Sequence, residues 1–137
     1  MVKKSLVCLT ILFLAAGLAW ADATGDYNFI SAQTLQKQIE KKASPIIIDI
    51  CPVEQYAQGH IIGSIETNAY PVKTEAQKAR LAEYLPKIKE SPGQVVIVCP
   101  RGAGGAKRTY EYYKSNGVQS SRLNFPQMDA GESEFRM

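Results

Sequence analysis

The stretch that most constrains this chain is Gln94 to Tyr113, QVVIVCPRGAGGAKRTYEYY. Gln94 to Val98 form a short, apolar, β-branched run, the kind that fills a strand buried on both faces. Cys99 stands at its end, followed by Pro100-Arg101-Gly102-Ala103-Gly104-Gly105. Ala106, Tyr110 and Tyr113 then recur at helical spacing, and Asn116-Gly117 closes the pattern as a C-cap would. Strand, glycine-rich turn and helix together set one thiol at a helix N-terminus. Unpaired backbone N–H groups and the positive end of the dipole favour an anion there. Gly102, Gly104 and Gly105 are expected to let the backbone curl so that several N–H groups converge on one atom.

Other chemistries of glycine-rich turns do not fit these residues. A phosphate-binding P-loop has Gly-Lys-Ser/Thr at the helix start, where this chain has Ala106-Lys107-Arg108. The dinucleotide pattern GxGxxG fails because Lys107 occupies its third glycine position. A cysteine phosphatase grips phosphate with an arginine six residues after its nucleophile, and that position is Gly105. A cysteine behind a strand is often only a small hydrophobe, but the glycines that follow Cys99 mark a working loop. What remains is thiol chemistry on a group smaller than a phosphate ester.

The chain opens with a targeting signal. Lys3 and Lys4 form a basic start, Leu6 to Leu18 is almost wholly apolar, and Ala19-Trp20-Ala21 supplies small residues at a cleavage site. The apolar run is short for a membrane span, and Asp22 onward is polar. Export to the periplasm or exterior, with cleavage after Ala21, is therefore expected. Residues 22–137 remain, one domain with enough chain for a core. Of 16 basic residues, removal of Lys3 and Lys4 leaves 14 against 13 acidic, a net charge of about +1. That balance points to no nucleic-acid partner and no membrane partner after cleavage. Cys51 and Cys99 are the cysteines that remain, in an oxidising compartment. Neither belongs to a CxxC pair, and with a single histidine no metal site is expected.

In chain order, Tyr27 to Ile30 reads as a short edge strand, and Ser31 as the N-cap of a helix turning Ala32, Leu35, Ile39 and Ala43 inward. Pro45 leads into the apolar strand Ile46 to Ile50, interrupted by Asp49, a carboxylate that must be hydrogen-bonded there. Its expected role is to fix the backbone of a neighbouring loop. Pro52 opens a short helix from its first position, ended by Gly59-His60-Ile61, and His60 reads as a structural hydrogen-bonding residue. Ser64 to Asn68 is a further strand. Thr74-x-x-Gln77 is a capping box for a helix with Leu81, Leu85 and Ile88 on one face, limited or kinked by Pro86. Ser121 to Asn124 is the last strand, ended by Phe125-Pro126, and Asp129 to Met137 is a charged tail expected to be loose. Strands alternating with helices imply a parallel sheet with helices on both faces, its sites at the C-terminal ends of strands. Asp49, Cys51 and Cys99 all lie at such ends.

Two stretches together resemble the rhodanese-like domain. Asp49-Ile50-Cys51-Pro52-Val53-Glu54-Gln55-Tyr56-Ala57-Gln58-Gly59-His60-Ile61-Ile62-Gly63-Ser64 is similar to that family's first signature. Cys99-Pro100-Arg101-Gly102-Ala103-Gly104-Gly105-Ala106 is similar to its active loop. The resemblance covers about residues 27 to 130. It implies a parallel five-stranded α/β domain, of three layers, in which Cys99 carries a sulfane sulfur as a persulfide and needs no cofactor. Pro100, Arg101, Gly102, Ala103, Gly104 and Gly105 would bind the substrate, with Asp49, Cys51 and His60 in support. The family's pattern has arginine where Cys51 and Gly104 stand. It also has a glycine-glycine-methionine segment followed by tryptophan where this chain has Pro126-Gln127-Met128 and Gly131.

The leading expectation is an exported sulfurtransferase, or persulfide carrier. It would take sulfur from a small donor anion such as thiosulfate, or from a persulfide. The acceptor would be a thiol, cyanide or a protein. Without arginine at Gly104, neutral or protein-bound donors become more attractive. A non-catalytic binding module with the same fold, and a thiol redox protein using Cys51 with Cys99, are the alternatives. In the latter, Cys51 attacks an oxidised or persulfidated Cys99 across neighbouring strands, about 4.8 Å apart.

Arg101 lies inside the loop and is expected to supply the anion-attracting charge that Gly104 lacks. Arg101→Ala should raise the KM for thiosulfate several-fold at low ionic strength, and the penalty should shrink as salt is added. An unchanged KM at low salt would reduce Arg101 to a solvated surface residue.

Overall fold

The computed structural model describes residues 26–42, 45–100 and 103–127. The expected leader and the tail from Asp129 lie outside the described residues. Strands β1 (Asn28–Ser31), β2 (Ile46–Asp49), β3 (Ile65–Glu66), β4 (Val95–Val98) and β5 (Leu123–Gln127) form one sheet in the order β1-β5-β4-β2-β3. Every pairing among the described residues is parallel. The helices are α1 (Ala32–Glu40), α2 (Val53–Gln58), α3 (Glu75–Ala82), α4 (Leu85–Glu90) and α5 (Ala103–Ser115).

The all-apolar sequences of β2 and β4 are explained by burial on two faces. Ile46, Ile48, Ile50, Val95 and Ile97 pack with Leu81 of α3, Ile88 of α4 and Ala106, Tyr110 and Tyr113 of α5. Ile47 and Val96, one residue out of phase, pack on the other side with Leu35 of α1 and with Ile61. Alternation along the strand thus feeds two cores, and the result is a three-layer α/β domain with helices on both faces. β4 is the middle strand, so its C-terminal end, and Cys99 with it, lies at the centre of one sheet edge. Aromatic rings close the far side: Tyr27 meets Tyr110 edge-on at 5.0 Å and Phe125 at 5.2 Å.

Local signals set the helix boundaries. Ser31 Oγ accepts the Thr34 N–H at 3.2 Å. Thr74 Oγ1 accepts the Gln77 N–H at 3.2 Å, and the Gln77 side chain accepts the Thr74 N–H in return. Pro86 does more than kink the expected helix. The helix stops at Ala82 and a second one restarts at Leu85, with Pro86 in the first turn where no N–H is needed. Pro52 is the N-cap of α2 rather than its first helical residue.

Strands β2 and β4 are each one residue shorter than the sequence suggests, and the bounds of β1, β3 and β5 differ for identifiable reasons. β1 starts at Asn28, because the Tyr27 ring is drawn onto the aromatic cluster. β3 is two residues long: Asn68 adopts a left-handed φ of 49°, which ends the extended run. β5 begins only after Ser120–Arg122 coil into a 3₁₀ turn and continues through Pro126. The pairing with β4 stops at Asn124, so Pro126 sits where β1 alone flanks the strand.

Leu81 is fully buried between α5 and the sheet. Leu81→Ala should lower the unfolding free energy by about 2–5 kcal/mol. Urea denaturation should show this as a lower midpoint at unchanged slope.

Candidate active site

Cys99 follows the last residue of β4 and faces the α3–α5 side, packed against Ile50 and its neighbours. The chain then passes through Pro100 to Arg101 and Gly102, which lie outside the described residues, and enters α5 at Ala103. The first turn of α5 carries no acidic side chain, so nothing of its own neutralises the positive helix end. The sulfur lies directly against this turn. A Cβ added to Gly105 would stand 3.1 Å from Cys99 Sγ, 3.0 Å from Ile50 Cδ1 and 2.9 Å from Tyr70 Cδ2. Only a residue without a side chain lets helix, strand end and tyrosine ring meet here.

Gly104 and Gly105 therefore do not belong to a curled loop, as the sequence suggests. They are the second and third residues of α5. The helical pattern of Ala106, Tyr110 and Tyr113 simply runs one turn further back than its apolar residues reveal. Their roles differ. Gly105 is buried and makes room for the sulfur, whereas Gly104 is exposed and lies under the Arg108 guanidinium, 3.5–3.9 Å from where its Cβ would be. Ala103 is the first residue of the helix, and Pro100 is half-buried between the thiol and that helix.

Asp49 and His60, expected to support the site, both bond to backbone groups. Asp49 is 2% exposed, and its Oδ1 accepts the Cys51 N–H at 2.9 Å. Its backbone carbonyl accepts both the Thr67 N–H at 3.0 Å and the Thr67 hydroxyl at 2.9 Å. Asp49 thereby ties together the chain after β2 and the chain after β3, the loop-fixing role expected of it. His60 stacks on Tyr56, with ring centroids 3.9 Å apart, and its Nδ1 lies 3.0 Å from the Tyr56 carbonyl. A carbonyl only accepts, so Nδ1 carries the hydrogen. The Tyr56 hydroxyl donates to the Ser64 carbonyl at 2.8 Å, so Tyr56 and His60 form a clasp around the turn between α2 and β3.

Cys51 is buried. The β2–β4 register pairs Asp49 with Val98, which sets Ile50 opposite Cys99 and on the same face. Cys51 comes one residue later, out of phase with Cys99, although the two strands are neighbours as expected. The register therefore does not set Cys51 directly opposite Cys99.

Two residues at the site carried no clear sequence signal. Tyr70 reaches the thiol because its N–H donates to the Ile50 carbonyl at 2.8 Å, continuing the sheet's bonding beyond β2. Arg108 Nε donates to the Pro71 carbonyl at 2.7 Å, which holds the guanidinium over the first turn of α5. A Tyr-Pro pair marks a turn, but nothing local shows that this turn packs on the thiol.

Comparison with known proteins agrees with this architecture. A family model described as the rhodanese-like domain matches residues 31–126. No curated protein matches significantly. Among solved structures, the crystal structure of SSP1007 from Staphylococcus saprophyticus subsp. saprophyticus aligns with a TM-score of 0.51 at 20% identity. The alignment covers 77% of this chain and 91% of that one, a likeness of fold.

The two helix glycines should respond in opposite directions. Gly104→Ala meets only the far end of a flexible arginine and should stabilise the protein by about 0.5–1 kcal/mol. Gly105→Ala forces its methyl into Tyr70, Ile50 and the sulfur. It should destabilise by about 1–3 kcal/mol and slow alkylation of Cys99. Thermal melts and iodoacetamide labelling rates measure the two effects.

Proposed function

Because this chain belongs to the rhodanese-like domain family, we propose that it is a sulfurtransferase that carries one sulfane sulfur on Cys99. The observation that carries this reading is the gap at Gly105, where the Cys99 sulfur rests against the first turn of α5, which bears no acidic side chain. A second sulfur bonded to Sγ would lie among backbone N–H groups that have no partner within the helix, in the positive end of its dipole. That favours a small anionic group of one or two atoms.

The cycle has two displacements. The Cys99 thiolate attacks the outer sulfur of thiosulfate. A bond forms from Sγ to that sulfur, the sulfur–sulfur bond of thiosulfate breaks, and its electron pair leaves on sulfite. The persulfide anion that remains is held at the helix end. A nucleophile, cyanide or a thiolate, then attacks the outer sulfur, and the electron pair of the persulfide bond returns to Sγ. Nothing is left over: donor and acceptor exchange one sulfur atom, and the thiolate is regenerated. Asp49, Thr67 and the backbone bonds around Ile50 hold the three chain segments that frame the sulfur.

The same reading places the protein outside the cytoplasm. Its support is the basic start at Lys3-Lys4, the apolar run Leu6 to Leu18 and the small residues Ala19 and Ala21. Among the described residues, no helix is long and apolar enough to cross a membrane.

Cys99→Ser removes the one atom that can bear the sulfur, since a hydroxyl oxygen forms no persulfide, and spares the packing. Transfer from thiosulfate to cyanide should fall by more than about 10³-fold while the melting temperature hardly changes. Wild-type protein incubated with thiosulfate should gain the mass of one sulfur atom, located on the Cys99 peptide. Turnover in the serine variant comparable to wild type would remove Cys99 from the reaction.

A further inference from the structure

Among the described residues, Arg108 is the cation that the fold ties to the thiol site. Side chains on a helix slant toward its N-terminus, so Arg108, in the second turn of α5, reaches back over the helix start. Nη2 and Nη1 stand 3.5 and 3.6 Å from where a Cβ on Gly104 would be. Nε is committed, donating to the Pro71 carbonyl at 2.7 Å. No other side-chain hydrogen bond or salt bridge of Arg108 occurs among the described residues. Arg80 and Arg122 are used differently: their terminal nitrogens donate to the carbonyl of Asn68 and to those of Ile88 and Ser91. Those two clamp the backbone, whereas Arg108 is anchored by its inner nitrogen and presents its outer ones. Lys73, Lys78 and Lys107 line an open groove beside α5 together with Arg108. Of these, Lys78 pairs with Glu75 at 2.8 Å, and Lys107 leans over the Tyr27 ring at 5.3 Å.

Pro71 connects this guanidinium to the sulfur. The ring of Tyr70, one residue earlier, is 2.9 Å from where a Gly105 Cβ would stand, and Cys99 Sγ is 3.1 Å from the same point. Gly104 and Gly105 are consecutive, so the nearest guanidinium nitrogen and the sulfur are at most about 14 Å apart. A sulfur donor in attack geometry uses much of that interval. Its outer sulfur lies roughly 3–3.5 Å from Sγ, its S–S bond adds about 2 Å, and a hydrogen bond from a guanidinium adds about 3 Å. The leaving group of such a donor therefore falls within the span that Arg108 closes.

We propose that Arg108 is a specificity-determining residue of the Cys99 site, gripping the oxyanion leaving group of the sulfur donor. The proposal rests on the sulfurtransferase reading and adds the residue of this chain that selects the donor. In thiosulfate, one formal negative charge belongs to the outer sulfur and the other to the oxygens. When the Cys99 thiolate attacks, the S–S bond breaks and its electron pair goes to the leaving group. Sulfite departs doubly charged, and the outer sulfur keeps its own charge as the persulfide anion. The guanidinium thus acts on the group where charge grows, and its planar fork can meet two oxygens at once. It takes no part in bond making and gives up no proton. A donor with a neutral leaving group gains nothing from it. This role is separate from the one expected of Arg101, which lies outside the described residues.

The test compares Arg108→Gln and Arg108→Lys with the wild type. Transfer from thiosulfate to cyanide is a two-step exchange, so kcat/KM for thiosulfate reads the loading of Cys99 and kcat/KM for cyanide its unloading. Arg108→Gln should lower the first by at least about tenfold and leave the second within about twofold. Arg108→Lys keeps the charge without the fork and should recover part of the loss. Equal falls in both constants mark a disturbed wall at Pro71 and overturn the proposal, as do two unchanged constants. A second measurement separates the anion grip from sulfur transfer itself. Alkylation of Cys99 by iodoacetate, an anion, and by neutral iodoacetamide is followed by mass spectrometry of the Cys99 peptide. At low ionic strength the ratio of the iodoacetate rate to the iodoacetamide rate should fall at least about threefold in Arg108→Gln, and added salt should shrink the difference. Lys73→Gln removes one charge from the groove and should leave the ratio unchanged. A ratio lowered by Arg108→Gln alone supports the grip even if thiosulfate never loads Cys99. A ratio unchanged in Arg108→Gln, or lowered as much by Lys73→Gln, overturns it.

Discussion

The site depends on backbone hydrogen bonds that continue the sheet past the ends of its strands. β2 and β4 pair from Ile46 to Asp49, and the ladder runs on with the Ile50 N–H donating to the Val98 carbonyl at 3.0 Å. The Ile50 carbonyl then accepts the Tyr70 N–H. Asp49 adds its carboxylate to the Cys51 N–H and its carbonyl to Thr67. The end of β4, the end of β2 and the segment 67–70 are thus stitched into one rim, mostly through main-chain groups, with the Asp49 carboxylate and the Thr67 hydroxyl added. In that setting α5 can descend onto the rim at Gly105 with the sulfur in the remaining space.

Charge at the site is arranged on two levels. The helix end, whose first turn bears no acidic side chain, provides a positive dipole end at the sulfur itself, a short-range field that falls off within a turn. Side-chain cations, Lys73, Lys78, Lys107 and Arg108, line the groove beside α5, where solvent screens each of them. Arg108 belongs to both levels, because its bond to Pro71 fixes it over Gly104. The family's loop usually holds an arginine at the position of Gly104. Here a guanidinium stands over that position from one helical turn later.

Much of this was legible in the sequence, for reasons that can be assigned residue by residue. Ser31 and the Thr74–Gln77 box act within one turn of chain, so local pattern suffices to place them. The isoleucine and valine runs of β2 and β4 identify strands covered on both faces, and Asp49 in such a run had to be hydrogen-bonded. Gly105 was marked as special for the wrong reason: its importance is a close packing contact within a helix, whereas the sequence suggests a flexible turn. Tyr70 and Arg108 were illegible because their positions follow from contacts with residues 20 and 37 positions away. The ends of β3 and β5 depend likewise on neighbours that no local window contains.

The single-residue offset between Cys51 and Cys99 in the β2–β4 ladder governs how long a loaded site would persist. A resolving thiol held in phase would discharge the persulfide by ring closure, at a rate fixed by effective molarity and indifferent to the surroundings. With Cys51 out of phase, a persulfide on Cys99, in the proposed reaction, would be discharged by an acceptor from outside the domain. Its lifetime would then follow how often such an acceptor arrives.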